Sequence, residues 1–427
     1  MFFPDGHHRW SHLFEATMSV CLSGIRVLDL SRILAGPWAT QLLADLGAEV
    51  IKVERPGDGD DTRSWGPPFV VGVHETDLFS AYYLSANRGK KSIAIDLASH
   101  EARDIILSLA RVCDVVVENF SVGVSKRLGV DYETLSAVNP RLIYCSITGF
   151  GQTGPHKDKP GYDLLVQAMG GLMSITGSPE GEPMKAGVAV ADILTGLYST
   201  VAILAALNER HTSGLGQHID LALLDVQIAT LANQGMNFLA SGKVPQRNGN
   251  AHPNIVPYQA FATSDGHVVI AVGNDAQFTR FAGALGLSEL SADPRFATNA
   301  DRVQNRAALI PILSQKIRSL RKHEVLRTLE EERVPAGPIN QMDEVFADPQ
   351  IEARGLVVEQ NLADGLPLRT LGNPIRFSRS PIRYSNAPPR LGAHTEEILQ
   401  DALGMPKSKV DQLIEQGVVA QNREQVR

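Results

Sequence analysis

The stretch "KAGVAVADILTGLYS", residues 185–199, carries one acid, Asp192, among small and apolar neighbours. Burying a carboxylate there is costly unless something satisfies it. Three kinds of chemistry suit it. As a helix N-cap, Asp192 would accept backbone N–H groups, typically worth about 1 kcal/mol. As a general base it would need a neighbour that raises its pKa. As a nucleophile it would attack an activated acyl carbon and form an anhydride. Spacing alone favours the cap, and a side chain that can turn could do both.

The other chemistry-bearing residues cluster at candidate strand ends. "SRILAGPW" (31–38) opens a helix directly after the first strand, where a doubly wound sheet usually binds phosphate, but it lacks GxGxxG. Arg55, in "VERPG", stands where nicotinamide enzymes carry a ribose-binding acid. It could hold the 2′-phosphate of NADP or the 3′-phosphate of coenzyme A, or be a solvated loop residue. "NRGKKS" gathers Arg88, Lys90 and Lys91, which in isolation reads as a solvated basic turn. "ENF" places Asn119 and Phe120 at the end of the fourth strand, with Arg127 shortly after. Each could meet a nucleotide, and a polar cap is an equal reading for Asn119. "DKPGYDLLVQAMGG" holds Tyr162 and Asp163, with Asp163 read as the cap of the helix that follows. "GNAHPNIVPY", starting at Gly249, reads as a lid or a plain connection. The twelve histidines show no HExxH or other close metal spacing, and neither GxSxG nor a Walker loop occurs.

Positioning these residues requires an alternating architecture. "IRVLDL", a helix from Pro37 to Gly47, and "AEVIKVE" make a βαβ unit over residues 25–54. "KSIAIDL", "DVVVENF" and "LIYCSITGF" repeat the strand signal with helical stretches between them, which predicts an α/β, doubly wound parallel sheet. "MKAGVAVA" reads as a strand running into the helix "ILTGLYSTVAILAALNERHTSG", with Asp192 as its N-cap. After the strand "QHIDLALLD", a helix is expected from about Val226 to Ala240. Beyond Pro245 the texture changes to a smaller α+β domain, opening on a hairpin that turns at "SDG" and continuing with helices near 275–286 and 300–333. "RVPAGPINQ" reads as a linker, "GLPLRTLGNPIRFS" as a hairpin, and Thr395 to Val418 as a broken helix. The expected division is a tail over 1–17, a large domain over 18–225, a linker helix over 226–245, the small domain over 246–333, and a linker with a C-terminal segment over 334–427.

Composition narrows the function. A chain of 427 residues exceeds one ordinary core, and a net charge of −7 argues against nucleic-acid binding. Three cysteines, Cys21, Cys113 and Cys145, without CxxC spacing fit a reducing compartment. The first 20 residues lack the apolar core of a signal peptide, and no uninterrupted apolar run reaches the roughly 20 residues that span a bilayer. These readings point to the cytoplasm, with no membrane partner.

Taken together, "LDLSRILAGPWATQLLADLGAEVIKVERPGDGDDTR", "NRGKKSIAIDL", "VENF", "SITGFGQTGP", "GYD", "GVAVADILTG", "GLGQHIDLALLD" and "LGAHT" resemble the class III CoA-transferases over roughly Gly24 to Val418. The resemblance favours CoA over NADP at Arg55. It implies an interlocked homodimer in which each chain has a large CoA-binding domain and a small domain, and returns to the large one at its end. It implies no permanently bound cofactor, with a coenzyme A thioester as substrate. Asp192 takes the position of the family's nucleophile and Tyr162 that of an active-site tyrosine. Gly249 takes the place of a mobile glycine loop over the nucleophile, although "RNGNA" here replaces a run of glycines. The family's CoA contacts fall on Ile33, Leu34, Ala35, Arg55, Lys90, Asn119, Phe120 and Arg127.

Within that family the chain most resembles enzymes that move CoA from succinyl-CoA to dicarboxylates such as glutarate or hydroxymethylglutarate. "DDTRSWGPPFV", "CSITGFGQTGP" and "NIVPYQAF" carry this likeness, and Arg63 is a candidate for the acceptor's second carboxylate, with a surface salt bridge an equal reading. The related α-methylacyl-CoA racemases carry "GHD" where this chain has "GYD". A tyrosine is a poor base at neutral pH, so the substitution favours transfer. A non-catalytic CoA-binding protein and an NADP-dependent oxidoreductase are the readings from other classes.

Overall fold

The computed structural model describes residues 20–72, 78–384 and 386–422. The tail read over residues 1–17 lies outside them. The chain divides into two compact units, one made of the segments up to Gly170, Gly187–Thr230 and Arg354 onward, the other of Gly171–Ala186 and Leu231–Ala353.

The larger unit is built on a mixed α/β plan around a seven-stranded sheet. Its strands are β1 (Arg26–Asp29), β2 (Glu49–Glu54), β3 (Lys90–Ile95), β4 (Val115–Glu118), β5 (Ile143–Thr148) and β6 (His218–Ala222). They run parallel in the order β3-β2-β1-β4-β5-β6, with the short strand Val419–Ala420 antiparallel to β3 at the edge. The order reverses between β1 and β4, whose carboxyl ends open the crevice that ligands of such sheets use. Strands covered on both faces must be apolar throughout, and Val115, Val116 and Val117 are fully buried.

Three helices position the site: α1 (Ala35–Asp45), α2 (Asp163–Met169) and α3 (Val190–Ser213). Helix α3 is long and apolar enough to cross a bilayer by length and composition, although no uninterrupted apolar run does so. In this unit it packs on α1, and Ala191, Ile203, Ala206 and Leu207 join the core beside the sheet. Gly196 allows that approach: a Cβ there would lie 2.8 Å from the Ala35 carbonyl oxygen.

Several local expectations are corrected. "MKAGVAVA" forms no strand, and α3 begins at Val190, so Asp192 is its third residue and Ala189 the N-cap. The helix expected from Val226 to Ala240 is two, Leu223–Ala229 and Ala232–Ser241, and the boundary between the compact units falls between them. In the smaller unit, β7 (Tyr258–Thr263) and β8 (Gly266–Ala271) form the hairpin read at "SDG". "RVPAGPINQ" is no mere linker, because Ala336–Pro338 adds a third strand, β9, to that hairpin. Strand β9 pairs with residues nearly 70 positions away, so its partner is invisible to local pattern.

Candidate functional site

The first βα turn is held by buried charges. Asp29 ends β1 and accepts from Thr40 Oγ1 at 2.6 Å, from the Ser31 hydroxyl and from Lys90 Nζ at 3.0 Å. Lys52 Nζ donates to the Ser31 carbonyl at 2.9 Å and to Asp60 at 2.8 Å, and Asp60 in turn accepts the Ile33 N–H. Lys52 holds the Asp60 carboxyl down at about 2, against the opposing effect of burial. Asn119 closes the turn from β4: its amide donates to the Arg32 carbonyl at 2.7 Å and its carbonyl accepts the Arg32 N–H at 2.9 Å. These bonds hold Ile33, a β-branched residue, at φ 71°. Such a conformation costs on the order of 1–3 kcal/mol and survives only where its surroundings determine it. The turn delivers the N-terminus of α1 with no side-chain cap, and among the described residues the N–H groups of Leu34 and Ala35, which line a pocket at the switch point, have no partner.

Lys90 and Arg88 correct the expectation of a solvated basic turn. The Lys90 ammonium is fully buried and saturated by Asp29, the Pro37 carbonyl and Asn87. Burial pulls its pKa down to about 8, opposed by Asp29, so it stays charged at neutrality. Arg88 is bidentate on Asp45 at 2.8 and 2.7 Å. A CoA contact through the Lys90 ammonium would compete with three bonds. Lys90→Met should destabilise the fold by about 3–5 kcal/mol, because it leaves Asp29 buried without its charge partner. Urea denaturation checks this. Arg63 is committed too: its guanidinium bonds both oxygens of Glu54 at 2.7 Å, the Tyr83 hydroxyl and the Pro389 carbonyl. The salt-bridge reading is the one these bonds fit, with Glu54 as the partner.

Asp192 and the strand-end residues meet in one pocket of about 130 Å³, to which Ile33, Leu34, Ala35, Asn119, Phe120 and Tyr162 all contribute. A neighbouring pocket of about 230 Å³ takes in Arg55 and shares Arg32 and Phe120 with the first. Arg55 is exposed and paired with Asp58 at 2.7 Å. Arg127 lies exposed on the short helix Val124–Leu128, whose Leu128 lines the second pocket. A larger cavity, about 750 Å³, lies along the C-terminal segment; of the expected site residues only Lys90 borders it, and it holds no candidate nucleophile. Gly249 belongs to the smaller unit, where it sits at φ 58° and its N–H donates to the Gly177 carbonyl at 2.9 Å.

The cap of α3 is not Asp192 but Asp163. One oxygen of Asp163 accepts the N–H groups of Ala191 and Asp192, at 2.8 and 3.3 Å, while the other accepts from Gln167 at 2.6 Å. Asp163 thus caps a helix 28 positions away rather than the one it begins. The Val190 and Ile193 N–H groups donate to the carbonyls of Val188 and Ala189. The first turn of α3 therefore has no N–H left to stabilise an oxyanion, whereas among the described residues that of α1 has. Among the described residues no donor reaches the Asp192 carboxylate. Burial, with the nearby Asp163 charge, raises its pKa to about 7. At neutrality Asp192 is therefore only partly ionised. Tyr82, missed in the sequence, faces the same charges: burial, then Asp192 and Asp163, push its phenol up. It packs edge-on to Trp65 with ring centroids 5.1 Å apart.

A half-buried carboxylate that has no partner among the described residues, beside an open helix N-terminus, suits covalent acyl chemistry on an anionic cofactor-like substrate. Comparison with known proteins gives the family. The model of CoA-transferase family III matches residues 22–395. The chain is 54% identical over 380 residues to a succinate–glutarate CoA-transferase of Agrobacterium fabrum, covering 89% of this chain and 95% of that one. It is 46% identical over 401 residues to the human succinyl-CoA:glutarate CoA-transferase, covering 94% and 90%. A crystal structure of a CAIB/BAIF family protein from Brucella suis superposes with a TM-score of 0.79 at 51% identity, covering 90% and 99%. The chain belongs to CoA-transferase family III.

Proposed function

We propose that the protein transfers coenzyme A from succinyl-CoA to a dicarboxylate, glutarate in the first place, through covalent intermediates on Asp192. The observation that carries the mechanism is the Asp192 carboxylate, unpartnered in a pocket that it shares with the first βα turn. In this reading Asp192 attacks the thioester carbon of the donor. The C–S bond breaks, leaving an aspartyl–succinyl anhydride and CoA thiolate. The thiolate then attacks the aspartyl carbonyl, giving an aspartyl–CoA thioester and free succinate. Glutarate attacks that thioester, expelling the thiolate, which returns to the glutaryl carbon of the new anhydride and frees Asp192.

The open N–H groups at Leu34 and Ala35 line the same pocket and are suited to the developing thioester oxyanion. Tyr162, at the rim, is suited to the same charge, and the loop of Gly249 to excluding water from the anhydride. Asn119 and Phe120 shape the wall for the pantetheine arm, and Arg55 and Arg127 flank the neighbouring pocket as phosphate partners. Lys90 contributes by holding the turn. An interlocked homodimer fits the exposed apolar side chains of α3, where Val201 is 64% and Leu197 42% accessible. Three unpaired cysteines fit a reducing, cytoplasmic setting.

The test is incubation with succinyl-CoA and a panel of carboxylic acids, with acyl-CoA products followed by mass spectrometry. Glutaryl-CoA is the expected main product. Absence of any new acyl-CoA would sink the reading. If Arg55 holds the 3′-phosphate, Arg55→Ala should raise KM for succinyl-CoA about tenfold and leave KM for succinyl-dephospho-CoA unchanged.

A further inference from the structure

The cations around the site are almost all spoken for. Lys52, Lys90 and Arg63 are each buried against a carboxylate, and Arg32 and Arg55 pair with Asp61 and Asp58. The exceptions on the wall of the Asp192 pocket are Lys157 and Lys159. Among the described residues neither ammonium forms an ion pair, and Asp192 is the one acid that shares their pocket.

Both side chains are exposed, but the backbone that carries them is fixed. The Lys157 and Lys159 N–H groups donate to the carbonyls of Gly154 and His156, folding residues 154–159 into a turn. The next residues are pressed onto the end of β5, since a Cβ on Gly161 would lie 2.4 Å from the Cα of Gly149. That backbone contact leads straight into Tyr162 and into Asp163, which bonds the Asp192 N–H. Three residues of chain span at most about 11 Å, so Lys159 stays close to Tyr162.

We infer that Lys157 and Lys159 select dicarboxylates, by holding the far carboxylate of the acyl group while its near carbonyl meets Asp192. This rests on the transferase reading and goes beyond it. A monocarboxylate of equal length would leave both ammonium groups without their partner, and discrimination follows from that loss. The same pair would serve succinyl-CoA, whose acyl chain also ends in a carboxylate.

Because the donor uses the subsite too, the test is a competition. The full-length enzyme receives saturating succinyl-CoA with equimolar glutarate and pentanoate, and the ratio of glutaryl-CoA to pentanoyl-CoA is measured. Both acids compete for one enzyme intermediate, so the ratio does not depend on the donor step or on the amount of folded enzyme. The double variant Lys157→Met/Lys159→Met should lower the ratio about tenfold or more, and the double arginine variant should keep it. An unchanged ratio in the methionine variant overturns the inference. So does an unchanged ratio with a raised KM for succinyl-CoA, which would assign the lysines to the nucleotide. A wild type that makes both products equally sinks only this inference, whereas one that makes neither sinks the transferase reading.

Discussion

Asp192→Asn should abolish CoA transfer and at the same time stabilise the protein at alkaline pH. The first effect follows from the chemistry. An amide oxygen is a poor nucleophile and forms no anhydride, so kcat should fall by on the order of 10⁴-fold or more. Hydroxylamine trapping after incubation with succinyl-CoA should label the wild type and not the variant.

The second effect follows from linkage. The folded pKa of Asp192 is about 7 against an ordinary 3.8, raised by burial first and by Asp163 second. A raised acid pKa means that the folded state resists ionisation. The penalty is absent below pH 4, grows between pH 4 and 7, and is complete above pH 7. Three units at 1.36 kcal/mol each set its ceiling at about 4 kcal/mol. The asparagine variant carries no such penalty. It should therefore gain stability over the wild type at pH 8 and lose the advantage near pH 4, as measured by urea midpoints across that range. A variant that is inactive and no more stable at pH 8 would place the cost of this carboxylate elsewhere. Such a trade, stability yielded for a reactive group held out of water, is common at active sites.

The parallel sheet was legible because its signals are local. Val115–Val117 is a short β-branched run and Ile143–Ile147 a short, largely apolar one, both bounded by helical stretches, and nothing distant is needed to read them. Asp192 was legible as a lone acid at a helix start. What could not be read are pairings across the chain. Asp163 lies 28 and 29 positions from the N–H groups it accepts, and in the sequence it looks like the cap of its own helix. Lys90 and Asp29 are 61 positions apart, and only the parallel register of β1, β2 and β3 brings the ammonium to the carboxylate. A basic turn and a buried ion pair have the same letters. Arg63 read equally as a carboxylate holder and as a salt bridge, and the fold supplies Glu54, nine residues away on β2, as its partner. Lys157 and Lys159 lay in plain view in "GPHKDKPGYD", but their distinction is that they lack ion-pair partners among the described residues, and that is a property of the folded pocket.

The rate should be set by the protonation of Asp192, and Asp163 should tune it. For the free enzyme, kcat/KM with succinyl-CoA should rise with pH along an acid limb whose midpoint is near 7, well above the range of an ordinary aspartate. At pH 6 the enzyme should retain about a tenth of its plateau value. Asp163→Asn removes a negative charge close to Asp192 while leaving a carbonyl oxygen to accept the Ala191 and Asp192 N–H groups. Gln167, now facing an amide, can turn its own amide to keep the second bond. Burial, the larger cause, is untouched, so the limb should move down without returning to 3.8. The variant should thus be the faster enzyme at pH 6 and close to wild type at pH 8. Asp163→Ala shifts the charge in the same way but also uncaps α3, at a cost of about 1 kcal/mol in stability, and it lets the first turn that carries Asp192 loosen. Its limb should move like that of the asparagine variant while its plateau drops. A limb that stays at 7 in both variants would show that the Asp163 charge does not reach the nucleophile, leaving burial alone to raise it.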